Sequence, residues 1–282
     1  MVVNKVWAVY FSATGTTKKV VEEMAGVIAE KLGVPHETYD FTLSLAREGA
    51  PDFKPDDLVV FGTPVYAGRV PNVLLKYLET IRGNGAAAVP VVLYGNRDYD
   101  DALIELRDIL EKDGFHPVAA AAFIGEHSFS YILAKGRPDE LDLQKAVAFA
   151  ADVAKKMASM MENADGTPGF GSVSPIEVKG TPEPYRGYYQ PRDRKGEPVD
   201  IRKVKPLTKD NCNDCKICAD TCPMGSISRE DVKEYTGICI KCGACIKNCP
   251  LQAKYYEDAG YLYHQHELEE GLTRRAEPEW FL

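Results

Sequence analysis

At 282 residues the chain is near the size, roughly 250 to 300, at which one core stops growing and a second domain forms. Its 45% apolar and 27% charged composition is that of a folded globular protein and excludes wholesale disorder. The formal charge of −8 is spread along the chain, with 17 Lys+Arg against 22 Asp+Glu in residues 1–160 and 12 against 14 in 200–282, which excludes the basic footprint of a nucleic-acid binder. No apolar run reaches the roughly 18 residues that span a bilayer. The opening MVVNKVWAVYFSATG has neither a long apolar stretch nor a small-residue cleavage site, so a cytoplasmic location is expected.

Strand-like apolar runs are predicted at 5–11 (KVWAVYF), 36–40 (HETYD), 57–62 (DLVVFG), 88–95 (AVPVVLYG) and 117–125 (PVAAAAFIG). Helical periodicity falls between and after them, at about 15–32, 70–82, 99–113 and 140–161. That alternation predicts an α/β domain over 1–163 with a doubly wound, five-stranded parallel sheet. Residues 166–206 hold seven prolines and six glycines, so 164–207 is expected to be a linker laid across a surface, with Tyr185, Tyr188 and Tyr189 available to pin it. A small α+β domain is expected over 208–260. Residues 261–282 are expected to form a helix and then an apolar tail, Trp280 to Leu282, that docks on its own protein.

After the first strand, FSATGTTKKVVEEMA places Ser12, Thr14, Gly15, Thr16 and Thr17 in a turn that opens into a helix. A helix start offers free N–H groups and a positive dipole end, so such a turn suits a phosphate. It matches neither the ATPase P-loop nor the dinucleotide G-x-G-x-x-G pattern. The S-x-T-G-x-T pattern resembles the phosphate loop of flavodoxins, which hold FMN, with a departure at Thr16, where those proteins commonly have Asn. That resemblance implies that Pro64, Tyr66, Ala67 and Gly68 flank the flavin ring on one side and Gly95, Asn96 and Tyr99 on the other, with Tyr66 and Tyr99 as stacking residues or as loop packing. Asp98, Asp100 and Asp101 stand beside the second loop. They are expected to disfavour added negative charge on a flavin, with Arg69 and Arg97 as offsets.

All eight cysteines lie between 212 and 249 and repeat one spacing, C-x2-C-x2-C-x3-C-P: Cys212, Cys215, Cys218 and Cys222, then Cys239, Cys242, Cys245 and Cys249. Zinc ribbons use isolated C-x2-C pairs separated by longer loops, whereas here a third cysteine and a C-P ending recur twice. The run resembles that of bacterial two-cluster ferredoxins, in which the fourth cysteine serves the other cluster. The resemblance implies one [4Fe-4S] cluster on Cys212, Cys215, Cys218 and Cys249 and a second on Cys222, Cys239, Cys242 and Cys245. The five histidines are scattered and no nucleophile or zincin motif is present, so no catalytic residue is assigned.

The whole chain is similar to the flavodoxin–ferredoxin hybrid proteins of anaerobic bacteria and archaea. The resemblance implies an electron-transfer protein that links one-electron and two-electron redox partners. An FMN-dependent oxidoreductase that reduces a quinone or an activated organic acceptor, with the clusters feeding the flavin, stays open at this level. A redox sensor is disfavoured by the lack of a DNA-binding motif. The expected partner is a redox protein. A homodimer, with flavin and clusters meeting across two chains, is left open.

Overall fold

The computed structural model describes residues 2–162, 174, 176–193 and 195–282. The part of the expected linker at 164–173, with 175 and 194, lies outside them. The first half builds β1 (Lys5–Tyr10), α1 (Thr16–Leu32), β2 (His36–Asp40), β3 (Asp57–Pro64), α2 (Leu75–Leu78), β4 (Ala87–Tyr94), α3 (Ala102–Lys112), β5 (His116–Pro117), β6 (Ala120–Ile124) and α4 (Glu140–Glu162). Strands β1, β3, β4 and β6 run parallel in the order β2-β1-β3-β4-β6, the flavodoxin-like arrangement, with β2 parallel at the edge. Their near-continuous burial explains why they read as unbroken apolar runs.

Helices cover both faces. On one, Val20, Val21, Met24 and Ile28 of α1 meet Ala146, Phe149 and Val153 of α4 over Val6, Ala8 and Val89. On the other, Leu103, Leu106 and Leu110 of α3 pack with Phe41, Phe53 and Phe61.

Two predicted elements come out differently. The expected fifth strand is split, because the register with β4 slips by one residue between Ala88↔Pro117 and Val91↔Ala121, a bulge that Pro117 and Pro90 favour by lacking N–H groups. The expected helix at 70–82 is α-helical only over Leu75–Leu78. It tightens to three-residue turns at Thr80 and Ile81 so that Gly83 can pass under Phe115 on the way to β4.

The second half is smaller: β7 (Leu207–Thr208), α5 (Ile217–Asp220), α6 (Ala244–Lys247), β8 (Lys254–Tyr255), α7 (Ala259–Gly271) and β9 (Glu279–Phe281). Its core holds Ile227, Val232, Tyr256 and Tyr261 around the cysteines. The chain then returns, and β9 adds antiparallel to β6 as a further strand, Ala121 opposite Trp280. The linker segment is tied down by Tyr185 Oη to Asp108 (2.7 Å), Tyr188 Oη to the Val70 carbonyl (2.9 Å) and Tyr189 N to the Ala67 carbonyl (2.8 Å). Among the described residues, no helix is long and apolar enough to cross a membrane.

Candidate functional site

The eight thiols are free and surround two small cavities. Cys212, Cys215 and Cys218 line one together with Cys249 from the far end of the second repeat. Cys239, Cys242 and Cys245 line the other together with Cys222. The short helices α5 and α6 each start from a left-handed residue, Lys216 (φ 64°) and Gly243 (φ 77°), which turns three thiols toward one space. Among the described residues, no three His, Cys, Asp or Glu donors converge on a single-ion site; the thiols enclose a volume instead.

Backbone N–H groups reach the sulfurs: Asp214 N donates to Cys212 Sγ (3.4 Å), Ser226 N to Cys222 Sγ (3.4 Å) and Ala253 N to Cys249 Sγ (3.2 Å). Burial works to raise the Cys249 thiol. The amides of Ala253, Leu251 and Lys254, with the Lys254 ammonium, outweigh it and hold the thiol below its ordinary value. Burial pushes Cys242 up to about 12, so only a bound metal would ionise it near neutral pH.

At the start of α1, Gly15 (φ 84°) turns the chain and has no side chain with which to cap the helix. A Cβ on Gly15 would meet nothing within 4 Å, so the space before the helix is open. Thr14, Gly15 and Thr16 line a cavity of about 280 Å³ there with Lys19, Arg137 and Lys247. A dipole end, a glycine turn and three cations form a donor set that fits a phosphate. Ser12 builds the turn instead of facing the cavity: its N donates to Thr42 Oγ1 (2.8 Å) and its Oγ accepts from Lys18 N (3.0 Å). Thr17 is buried with its methyl toward Gly62 and does not line the cavity.

A larger cleft, of about 520 Å³, lies between the two halves. Val65, Tyr66 and Ala67 form one wall, Tyr188 to Pro191 of the linker another, and Ile240, Lys241 and His264 of the second half a third. The segment after β6 joins both spaces, because Glu126 lines the small cavity and His127, Ser128 and Phe129 line the cleft. Tyr66 to Arg69 is a tight turn with positive φ at Ala67 and Gly68, closed by hydrogen bonds between Tyr66 and Arg69. Beneath it, Arg69 Nε donates to Glu105 (2.7 Å), which also accepts from Val70 N (2.8 Å). Burial, then the Cys242 and Cys239 thiols, hold the Tyr66 phenol well above its ordinary value. Tyr66 thus stands between the cleft and the thiols of Cys239 and Cys242.

The second predicted ring loop has a different task. Asn96 is buried and clamps the returning chain, donating to the carbonyls of Leu272 (3.0 Å) and Arg274 (2.8 Å) and accepting from Ala276 N (3.1 Å). Tyr99 is buried and donates to Glu279 of β9 (2.7 Å), so it packs the core and does not line the cleft. Gly95 makes room for the His127 ring, and Gly68 for the Asp100 carboxylate. Pro64 ends β3 just before the cleft wall.

The acidic loop is also not the electrostatic face. Asp100 pairs with Arg97 and Asp101 with Arg186, and Asp98 bonds the Asp100 amide. The charged groups that line the cleft are Arg97, Arg202, Lys241 and Asp200, of which Arg97 pairs with Asp100 and Arg202 with Asp200. Phe129 N donates to His127 Nδ1 (3.1 Å). Burial, aided by His264, Lys247 and Arg97, lowers His127 to about 3, so it is neutral there. Sequence reasoning missed His127, Ile240, Lys241 and Lys247, since nothing in the local pattern separates them from surface or core positions.

Family models match twice: a flavodoxin domain over residues 8–126 and a 4Fe-4S binding domain over 209–225 and 236–258. The pyruvate synthase subunit PorD of Methanothermobacter marburgensis is 41% identical over 61 residues, covering 21% of this chain and 74% of that protein. Among solved structures, a flavodoxin from the domain Archaea shares 19% identity with a TM-score of 0.38, covering 55% of this chain and 99% of that one. The Streptococcus pneumonia TIGR4 flavodoxin shares 19% at a TM-score of 0.38, covering 54% and 99%. With a flavodoxin domain, an eight-cysteine 4Fe-4S domain and the cofactors these imply, FMN and [4Fe-4S] clusters, the chain belongs to the flavodoxin–ferredoxin fusions and serves electron transfer.

Proposed function

We propose that Cys212, Cys215, Cys218 and Cys249 hold an outer [4Fe-4S] cluster and Cys222, Cys239, Cys242 and Cys245 an inner one. Thr14, Gly15, Thr16 and the start of α1 hold the FMN phosphate, with Tyr66 and Ala67 beside the ring. The working units are 1–163 and 208–260, joined by 164–207 and closed by 261–282. Electrons enter from a redox protein at the outer quartet, where Cys215 is exposed, and run through the inner quartet to the flavin within one chain. FMN supplies a centre that holds one or two electrons, while each cluster passes one. Similarity to a subunit of pyruvate synthase supports a partner that is itself an oxidoreductase in an oxygen-poor cytoplasm.

One observation carries this reading: Ile240 and Lys241 line both the inner cysteine cavity and the cleft, so a single layer of residues separates the two. Contacts around that layer keep it thin. Arg47 Nη2 donates to the carbonyl of Pro223 (2.6 Å), next to Cys222, and the Phe129 and Tyr261 rings stand 4.7 Å apart. The test is to reduce the clusters rapidly and follow the flavin. A rate independent of protein concentration supports the single-chain path; a rate that climbs with concentration rejects it. Should the protein form a stable dimer, mixed dimers with one defective cofactor per chain separate the two routes.

For the phosphate loop, Gly15→Val forces a β-branched residue to φ 84° and crowds the anion, so FMN affinity falls. Unchanged affinity would make the loop a mere helix cap. The size and basic lining of the cleft also favour a second reading, in which an anionic or quinone-like acceptor is reduced there. Turnover with small acceptors in the absence of a protein partner decides for it.

A further inference from the structure

The small cavity at the start of α1 draws one of its cations from the iron–sulfur half. Lys19 and Arg137 belong to the flavodoxin half and are engaged, Lys19 Nζ with the Pro138 carbonyl (3.0 Å) and Arg137 with Asp142 (2.6 Å) and the Ala276 carbonyl (2.8 Å). Lys247 is the last residue of α6, between the inner cysteine Cys245 and the outer cysteine Cys249. Its ammonium crosses the interface to Glu126 Oε1 (2.6 Å) and the Ser130 carbonyl and lies 4.2 Å from the centre of the Tyr131 ring. Two of its three N–H groups are used this way, and its charge stands at the wall of the cavity. Glu126 lines the same cavity, so without Lys247 its carboxylate would lose the ammonium paired with it beside an anion bound there.

We propose that Lys247 is the iron–sulfur half's own contribution to the FMN phosphate site, so that FMN affinity and cluster assembly are linked. The inference rests on the reading of Thr14 to Thr16 as the phosphate loop. A four-residue helix does not hold itself in place. The position of α6 is set by the cysteines on either side once they bind iron, because in small metal domains metal binding is folding free energy. Loss of the clusters therefore withdraws Lys247 and uncovers Glu126. By reciprocity, bound FMN strengthens cluster retention by the same factor.

The test uses the full-length protein with clusters assembled and flavin removed, titrated with FMN and with riboflavin, which lacks the phosphate, and followed by flavin fluorescence. Lys247→Met, with iron content matching the parent, is expected to weaken FMN about tenfold and leave riboflavin binding unchanged. Adding Glu126→Gln should recover part of that loss, and FMN should slow iron loss to a chelator in the parent more than in Lys247→Met. Unchanged FMN affinity, or an equal loss for riboflavin, overturns the proposal. If Lys247→Met fails to assemble clusters, Glu126→Gln alone decides: FMN affinity should rise, and an unchanged or lower value overturns it. A parent that binds FMN no more tightly than riboflavin defeats the phosphate-loop reading itself and the inference with it.

Discussion

The outer cysteine quartet faces solvent at Cys215, among exposed Asn213, Asp214 and Leu251. The inner quartet is pressed against the carboxyl edge of the flavodoxin sheet by Arg47, Ser128 and Lys247. One sequence repeat thus serves two surroundings, and a single position shows how. Both short helices begin from a left-handed residue, and in the outer copy Lys216 adopts it at φ 64° without help from glycine. In the inner copy the residue is Gly243, where a Cβ would come within 2.7 Å of the Ser128 carbonyl oxygen. Glycine is needed here for the close approach of the other half, not for the backbone angle.

Crossed ligation makes the strongest test of this difference. Intact protein should hold about eight irons. Cys249→Ser, although in the second repeat, should destroy the outer cluster, block reduction by a protein partner and leave inner-cluster-to-flavin transfer. Cys222→Ser should do the reverse, sparing the outer cluster and cutting the flavin off from it. Iron analysis with spectroscopy of each cluster checks both, and zinc in place of iron after anaerobic purification would refute the ligation scheme.

Gly243→Ala should push the halves apart at Ser128 and slow flavin–cluster transfer by roughly tenfold, the order that small displacements of reacting groups cost. Lys216→Ala, the matching change in the outer copy, should leave that rate alone. Equal effects from the two, measured by rapid photoreduction, would erase the distinction drawn between them.

A smaller effect is expected from Arg47→Ala. The guanidinium also donates to the carbonyls of Phe41 (3.0 Å) and Thr42 (2.6 Å), so its loss removes three bonds at the inner side and none at the outer. The expected cost is about 1 to 3 kcal/mol of stability, read from denaturant midpoints, with a modest slowing of transfer.

The effect confined to acid pH comes last. His127 is held neutral by burial with a value of about 3, against about 6.5 when unfolded, so the unfolded chain binds an extra proton between those values. Its contribution is therefore full above pH 6.5 and is lost as pH falls toward 3. At pH 5 the loss is roughly 2 kcal/mol, and His127→Gln should flatten that part of the acid slope in urea titrations. The cleft's charge, and with it the flavin potential, should not respond to His127 between pH 6 and 9.

Much of the chemistry was legible in the residues themselves. Cysteine spacing dictates which thiols share a turn, buried parallel strands need unbroken apolar runs, and a glycine turn opening a helix leaves N–H groups for an anion. Such constraints are local, and they carried the parallel strands and the cysteine spacing. Asn96 and Tyr99 were misread because their partners, residues 272–276 and Glu279, lie more than 170 positions away and arrive only when β9 joins the sheet. In the acidic loop, Arg97 pairs with Asp100 as an offset already visible in the sequence, whereas Arg186, which pairs with Asp101, arrives from the distant linker segment. Only the tertiary structure decided that Ile240 and Lys241 form the wall between cleft and inner thiols, and that Lys247 reaches the cavity at the start of α1. The physical reason is that a side chain's role across an interface depends on which surface packs against it, and that is set by contacts between distant segments, on which spacing along the chain is silent.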